Sequence, residues 1–168
     1  MHKIRIVCLF FALALSFSSC EKDDICVDGD TPLLIIRFYN IAAETQTKAP
    51  NLLRVVGTGQ TSPVGTFTDR SSLDSIAIPL RPGQDNTSFT FTLHSEDDAD
   101  GNETGIVNTL SFDYSTNEVY VSRACGFVAN YEDLETNVSS NADVWIKKIE
   151  VVNPTIENIE AAHVKIFH

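Results

Sequence analysis

The sequence predicts an all-β fold, an antiparallel β-sandwich of the Ig-like or jelly-roll type with about eight strands. Short runs rich in β-branched and aromatic residues recur along the chain, and turn-forming residues separate them. Almost no segment carries the 3.6-residue spacing of an amphipathic helix. A lipocalin-like barrel is the alternative, since eight strands suit either closure, but the linker at residues 57–74 favours the long crossovers of a sandwich.

The first three predicted strands lie in the N-terminal half. Residues 33–39 are almost continuously apolar, which predicts a central strand covered on both faces. Residues 52–56 form a second apolar run that ends at a glycine. Residues 76–80 alternate between apolar and small residues but contain Pro79, which predicts an edge position because proline cannot donate to a ladder.

The other predicted strands follow the same alternation. Residues 89–93 place large apolar side chains on one face and threonines on the other, which is typical of a half-buried strand. Residues 110–114 repeat this pattern. A turn at residues 115–117 then predicts a hairpin whose second arm is 119–122. The last two predicted strands are residues 145–152 and 162–167, separated by a Glu-rich connection long enough for one helical turn.

Residues 1–19 are typical of a lipoprotein signal peptide. A basic start precedes about 12 mostly apolar residues, and two serines then precede Cys20. A spanning helix needs about 20 apolar residues, and an ordinary secretory signal needs no cysteine at its cleavage point, so both alternatives fit less well. We expect an acylated Cys20, carrying for example palmitate, then an acidic tether over residues 20–30 and a single domain over residues 31–168.

The residues after Cys20 resemble the export signal of surface-displayed lipoproteins in Bacteroidetes-type bacteria, in which a lysine followed by two acidic residues directs the protein outward. Lys22, Asp23 and Asp24 match that form. The resemblance implies an outer-membrane, lipid-anchored protein displayed on the cell surface. The alternative is a solvated acidic tether on a protein that faces inward.

The composition after residue 19 is strongly acidic. These 149 residues include 10 basic and 23 acidic ones, so their net charge is −13. A chain of this length buries about two thirds of its unfolded surface and can hold a core without a metal. Its basic residues are scattered, which argues against nucleic acid as a partner, because phosphate binding needs clustered Lys and Arg. We expect no cofactor.

Two cysteines remain once Cys8 is removed with the signal and Cys20 is acylated. Cys26 and Cys125 would then be the only pair in an oxidising compartment, and we expect a disulfide between them. Such a bond would tie the start of the domain, beside the tether, to a distant strand end. Two buried free thiols are the alternative.

An acidic loop at residues 96–103 is a weak candidate for calcium. Glu96, Asp98 and Asp100 stand at its first, third and fifth places, and a glycine stands at the sixth, as a calcium loop requires. The twelfth place is Val107, where the loop would need a glutamate. We therefore favour a solvated connection between two strands over a metal site.

The histidines and the known catalytic patterns point to no reaction. His94 lies at a strand end, where a surface histidine is commoner than a metal ligand. His163 and His168 are five residues apart on an extended segment, which predicts opposite faces rather than a shared metal. The chain has no nucleophile elbow, phosphate loop or paired-histidine helix motif, so we expect no enzymatic activity.

Residues Asp74, Ser75 and Ile76 resemble the three-residue acceptor motif for O-linked glycans on exported proteins of Bacteroidetes-type bacteria. In that motif an aspartate precedes a hydroxyl residue and a small or apolar residue follows. A place in a polar linker before a strand would make the hydroxyl accessible. The resemblance implies a glycan on Ser75.

Four segments resemble an uncharacterised family of small Bacteroidetes-type lipoproteins, the domain of unknown function 6452. They are residues 20–26, 31–39, 120–127 and 162–167. The family brings no assigned activity, but the resemblance supports the pairing of Cys26 with Cys125. We expect a non-catalytic lipoprotein whose β-sandwich binds another envelope component, a protein or a glycan. A carrier of glycans or small ligands is the alternative.

Overall fold

The computed structural model describes residue 26, residues 29–139 and residues 144–168. The predicted signal peptide and most of the tether therefore lie outside the described residues. Nine strands form in the described part of the chain: β1 (Leu34–Asn40), β2 (Ala43–Thr47), β3 (Arg54–Gly57), β4 (Ser75–Ile78), β5 (Asn86–Asp97), β6 (Glu103–Ser122), β7 (Gly126–Val138), β8 (Lys148–Val151) and β9 (Val164–Phe167).

One sheet has five strands, in the order β2-β1-β9-β8, with β4 also paired to β1. As predicted, β1 is central, and its inward residues Leu34, Ile36 and Phe38 are fully buried. The predicted cover on both faces is wrong, because Arg37 on the outward face is exposed.

β1 and β9 run parallel, with Ile36 opposite Val164. This sheet is therefore mixed, whereas the sequence predicts antiparallel strands throughout. Among the strands that the structure describes, β4 pairs with β1 alone. It ends at Ile78, so Pro79, the residue that predicts an edge position, follows the strand.

The other sheet has four antiparallel strands in the order β3-β5-β6-β7. The predicted turn at residues 115–117 is wrong, because β6 continues through them to Ser122. Ser115 Oγ donates to Asp133 Oδ2 at 3.1 Å and Asn117 Nδ2 donates to Glu132 Oε1 at 2.8 Å, so these turn-forming side chains bond across to β7. The turn of the hairpin lies at residues 123–125 instead.

The two sheets pack face to face around one hydrophobic cluster. Phe38 and Ile166 come from the five-stranded sheet, and Phe91, Phe112 and Tyr131 come from the four-stranded sheet. Burying each large apolar side chain stabilises the fold by roughly 1.5–3 kcal/mol. The strands stay in two separate sheets, which confirms the predicted sandwich over the lipocalin-like alternative.

Two strands and one connection differ most from the prediction. β2, a short polar edge strand, and β7 are not predicted from the sequence, whereas β8 is shorter than its predicted run of residues 145–152. The Glu-rich connection between β8 and β9 forms no helical turn. It lies along β7 instead, where Tyr131 and Ile156 exchange backbone hydrogen bonds of 3.0 and 2.7 Å. Among the described residues, no helix has the length and apolar character to cross a membrane.

Candidate interaction surface at the hairpin end

The turn between β6 and β7 carries the predicted disulfide. Cys26 and Cys125 are bonded, with their Cα atoms 4.9 Å apart and a sequence separation of 99. Gly29 lies against the bond, because a Cβ at this position would stand 2.3 Å from Cys26 Sγ and 2.8 Å from Cys125 Cβ. The start of the described chain is therefore fixed to the turn of the longest hairpin.

Two aromatic side chains lie exposed beside this turn. Tyr120 is 54% exposed and Phe127 is 65% exposed, and the two residues are register partners on β6 and β7. Their rings pack edge to face, with centroids 5.3 Å apart. The pair forms an apolar patch that protrudes from the core.

The opposite face of the same ribbon is also apolar and exposed. Val119 and Val121 are exposed, and Val119 pairs with the half-buried Val128. Arg123, also exposed, lies in the turn. We call residues 119–128 the hairpin end. Large exposed apolar patches mark interaction sites, and here apolar side chains are exposed on both faces of one ribbon.

A polar cluster, which we call the arginine corner, lies near the other end of β6. It contains two arginines, three acids and one serine: Arg54, Asp69, Arg70, Ser95, Asp97 and Glu103. Arg70 donates to both carboxylate oxygens of Asp97, at 2.5 and 2.9 Å, and this bidentate pairing lowers the pKa of Asp97. The buried Ser95 Oγ accepts from Arg70 Nε at 3.1 Å and donates to Glu103 at 2.8 Å. Its hydroxyl is thus already occupied.

The backbone beside the arginine corner is strained. Leu52, Arg70 and His94 have φ values of 47°, 55° and 56°, in the left-handed region that non-glycine residues rarely adopt. Such strain costs of order 1–3 kcal/mol per residue and persists where neighbouring bonds fix it. Here the amides of His94 and Ser95 donate to the carbonyls of Asn51 and Leu52, both at 3.0 Å.

The candidate calcium residues do not form a cation cradle. Asp98 Oδ1 accepts from the amides of Asp100 and Asn102 at 3.0 and 2.8 Å, and its bonds to Asn102 lower its pKa. Asp100 and Glu96 are exposed. In the ranges that the structure describes, no three His, Cys, Asp or Glu side chains are grouped to hold a metal. The loop is held by its own turn bonds.

Each of the three histidines has its own hydrogen-bond partner in the fold. His94 is exposed, with its Nδ1 3.1 Å from Asn51 Nδ2. His163 is buried, its Nδ1 accepts from the amide of Ile35 at 3.0 Å, and burial lowers its pKa. Burial also lowers the pKa of His168, whose Nε2 lies 2.9 Å from Lys48 O. Each ring is bonded within the fold.

The predicted glycosylation residue is not in a linker. Ser75 is the first residue of β4, is half-buried, and pairs with Arg37 of β1. The carbonyl of Asp74 accepts from the amide of Phe38 at 2.9 Å, so the motif is already part of the sheet. The prediction of an accessible linker is wrong, and the glycan on Ser75 stays a prediction.

One open cleft lies between the loop after β3 and the segment after β4. Its volume is about 320 Å³. Val64, Leu80 and Phe89 supply apolar walls, and Gln60 and Arg81 supply polar groups. A cleft of this size lies at the lower limit of small-molecule sites.

Comparison with known proteins places these features in a family. Residues 52–168 match the model of a family of unknown function, DUF6452. The chain belongs to DUF6452. It matches no curated protein and no solved structure.

The DUF6452 match covers the hairpin end, the arginine corner and the cleft, whereas Cys26 lies before it. The sequence predicts the disulfide but not the exposure of Tyr120 and Phe127. Residues 119–122 look like an ordinary half-buried strand. The available signal is the presence of apolar residues at consecutive positions 119–121, which leaves neither face of that strand polar.

Proposed function

We propose that this DUF6452 protein is a non-catalytic outer-membrane lipoprotein, held by a lipid on Cys20 and displayed on the cell surface, that binds another envelope component. The hairpin end is its contact surface. The observation that carries the proposal is the exposed pair Tyr120 and Phe127 at the turn that the disulfide fixes to Cys26. Exposed aromatic anchors are typical of binding hot spots.

The bonding of the arginine corner supports binding rather than catalysis. A nucleophilic serine needs a neighbouring base that takes its proton, and a free path to substrate. Ser95 is buried and its hydroxyl is bonded to Arg70 and Glu103, while the neighbouring His94 lies beside Asn51. These contacts fix β3, β5 and β6 to the loop before β4.

Crosslinking in intact cells tests the proposal. The lipidated wild-type protein should be recovered with a stoichiometric envelope component. The double variant Tyr120→Ser/Phe127→Ser should lose it. A control, Ile106→Ser/Val107→Ser, removes two apolar side chains that are 38% and 41% exposed at the other end of β6, and this variant should keep the envelope component. Recovery with neither a crosslinked lipid nor a crosslinked envelope protein, or equal recovery with both variants, would sink the proposal.

The cleft supports a second candidate function, a carrier of glycans or small ligands. Phe89 and Leu80 offer an apolar wall and Arg81 a cation at the rim. A ligand screen by thermal shift tests this function, with Phe89→Ala as the variant that should lose the shift. A hit whose shift survives in Tyr120→Ser/Phe127→Ser and is lost in Phe89→Ala would assign ligand binding to the cleft.

A further inference from the structure

We propose that the hairpin end lies on the lipid surface of the membrane that holds the anchor, so that Tyr120 and Phe127 enter the headgroup region. The inference rests on the proposed lipid at Cys20 and names the envelope component that the hairpin end contacts. It also fixes the orientation of the protein, with the hairpin end toward the bilayer and the arginine corner away from it.

The length of chain between Cys20 and Cys26 limits how far the hairpin end lies from the acylated residue. Cys26 lies six positions after Cys20, and a fully extended chain covers at most about 21 Å over that length. The disulfide adds 4.9 Å between the Cα atoms of Cys26 and Cys125. The turn of the hairpin is therefore held within about 26 Å of the acylated residue, whatever path the tether takes.

The distance between the two ends of β6 is larger than this reach. Val107 lies 13 residues before Tyr120 on this strand, which corresponds to roughly 40 Å at the rise of a β-strand. A protein anchored through Cys20 can thus bring the hairpin end to the membrane while the arginine corner stays distant. The disulfide selects which end of the sandwich faces the lipid.

The side chains of the hairpin end suit a membrane interface. Tyrosine places its ring among acyl chains and its hydroxyl among headgroups, and aromatic residues are enriched at this depth. Val119, Val121 and Phe127 add apolar surface on both faces of the ribbon. Arg123 in the turn can pair with anionic headgroups, which attract basic side chains near the surface.

The net charge of the chain opposes this contact, so the apolar side chains of the hairpin end carry it. With a net charge of −13 after residue 19, the protein is repelled by an anionic surface. The tether over residues 20–30 is itself acidic, and Glu118 borders the hairpin end on β6, where it pairs with Ala129. The orientation therefore rests on the exposed apolar surface of the hairpin end and on the reach of the tether.

Fluorescence quenching by brominated lipids tests this contact. The full-length, lipidated variant Phe127→Trp is placed in phosphatidylethanolamine/phosphatidylglycerol vesicles with or without bromine on the acyl chains near the headgroup. Val107→Trp is the matched control on the same strand, and the wild type gives the baseline of the buried Trp145. Tyr120→Trp is a second reporter, so that one variant that folds poorly does not decide the result.

The expected result is that the added fluorescence of Phe127→Trp and Tyr120→Trp is lost in brominated vesicles, whereas that of Val107→Trp is kept. Equal fluorescence of all three variants in both vesicles overturns the lipid contact. If, in addition, an envelope protein crosslinks to the wild type and not to Tyr120→Ser/Phe127→Ser, the binding function stands and its partner is a protein. A Cys20 without lipid, measured by mass, overturns both proposals.

Discussion

Asn108 joins the two sheets of this sandwich, and its removal should unfold the protein at much lower denaturant concentration. The side chain is fully buried on β6. Its Oδ1 accepts from the amides of Trp145 and Ile146 at 3.0 and 3.1 Å, just before β8 of the other sheet. Asn108→Ala deletes the acceptor of two buried amides at once.

The expected loss of stability in Asn108→Ala follows from the two amides that lose their acceptor. Each buried donor left without a partner costs about 1–3 kcal/mol, so the two amides cost about 2–6 kcal/mol. The Nδ2 of Asn108 has no hydrogen-bond partner among the described residues, and its loss in the variant returns part of this cost. We expect the free energy of unfolding to fall by about 2–3 kcal/mol.

Urea unfolding followed by the fluorescence of Trp145 measures this change at the bonded segment itself. Thr109→Ala is the matched control, because Thr109 is the next residue of β6 and is half-buried. It should lose less than about 1 kcal/mol. If Asn108→Ala unfolds within about 0.5 kcal/mol of Thr109→Ala, the bonds to Trp145 and Ile146 do not join the sheets as described.

Three further changes have defined outcomes. Gly29→Ala should raise the free-thiol content of the purified protein, because its Cβ would stand 2.3 Å from Cys26 Sγ, and an unchanged thiol titration would contradict the packing. Gly105→Ala should lower the free energy of unfolding by about 2 kcal/mol or more, since φ is 129° and the Cβ would meet Leu93 O at 2.6 Å; a stability equal to wild type would rule out this geometry. Burial lowers the pKa of His163 below 6.5 in the fold, so the unfolded chain takes up the proton first and stability should fall as pH drops below 6.5, by up to about 1.4 kcal/mol per pH unit. His163→Asn, which keeps an acceptor for Ile35, should reduce that slope in pH-dependent melts and leave the part that His168 contributes, and an equal slope would assign the titration elsewhere.

The alternation of apolar residues predicted the strand that carries Phe89 and Phe91, both buried on β5, because side-chain period two maps directly onto a sheet face. The nearly continuous apolar run at residues 33–39 predicted the central β1, but β7, which carries the buried Tyr131, was not predicted. The elimination of other cysteines predicted the disulfide between Cys26 and Cys125, which the structure contains.

Contacts between residues that are distant in sequence were not predicted. Ser115 and Asn117 favour a turn by local propensity, but their bonds to β7 stabilise a continuous strand. The parallel pairing of β1 with β9 and the bond between Arg54 and Asp69 join residues whose proximity depends on the whole topology. The exposure of Tyr120 and Phe127 depends on what packs against the β6–β7 ribbon at that point, which alternation along one strand does not determine.

The most direct test identifies what the hairpin end contacts in the living cell. A photoreactive phenylalanine analogue replaces Phe127 in the full-length protein, and the same analogue at Val107 is the control. Crosslinking from position 127 to lipid or to one envelope protein, with none from position 107, is the predicted result. Equal crosslinking from both positions, or none from either, would contradict the hairpin end as the contact surface.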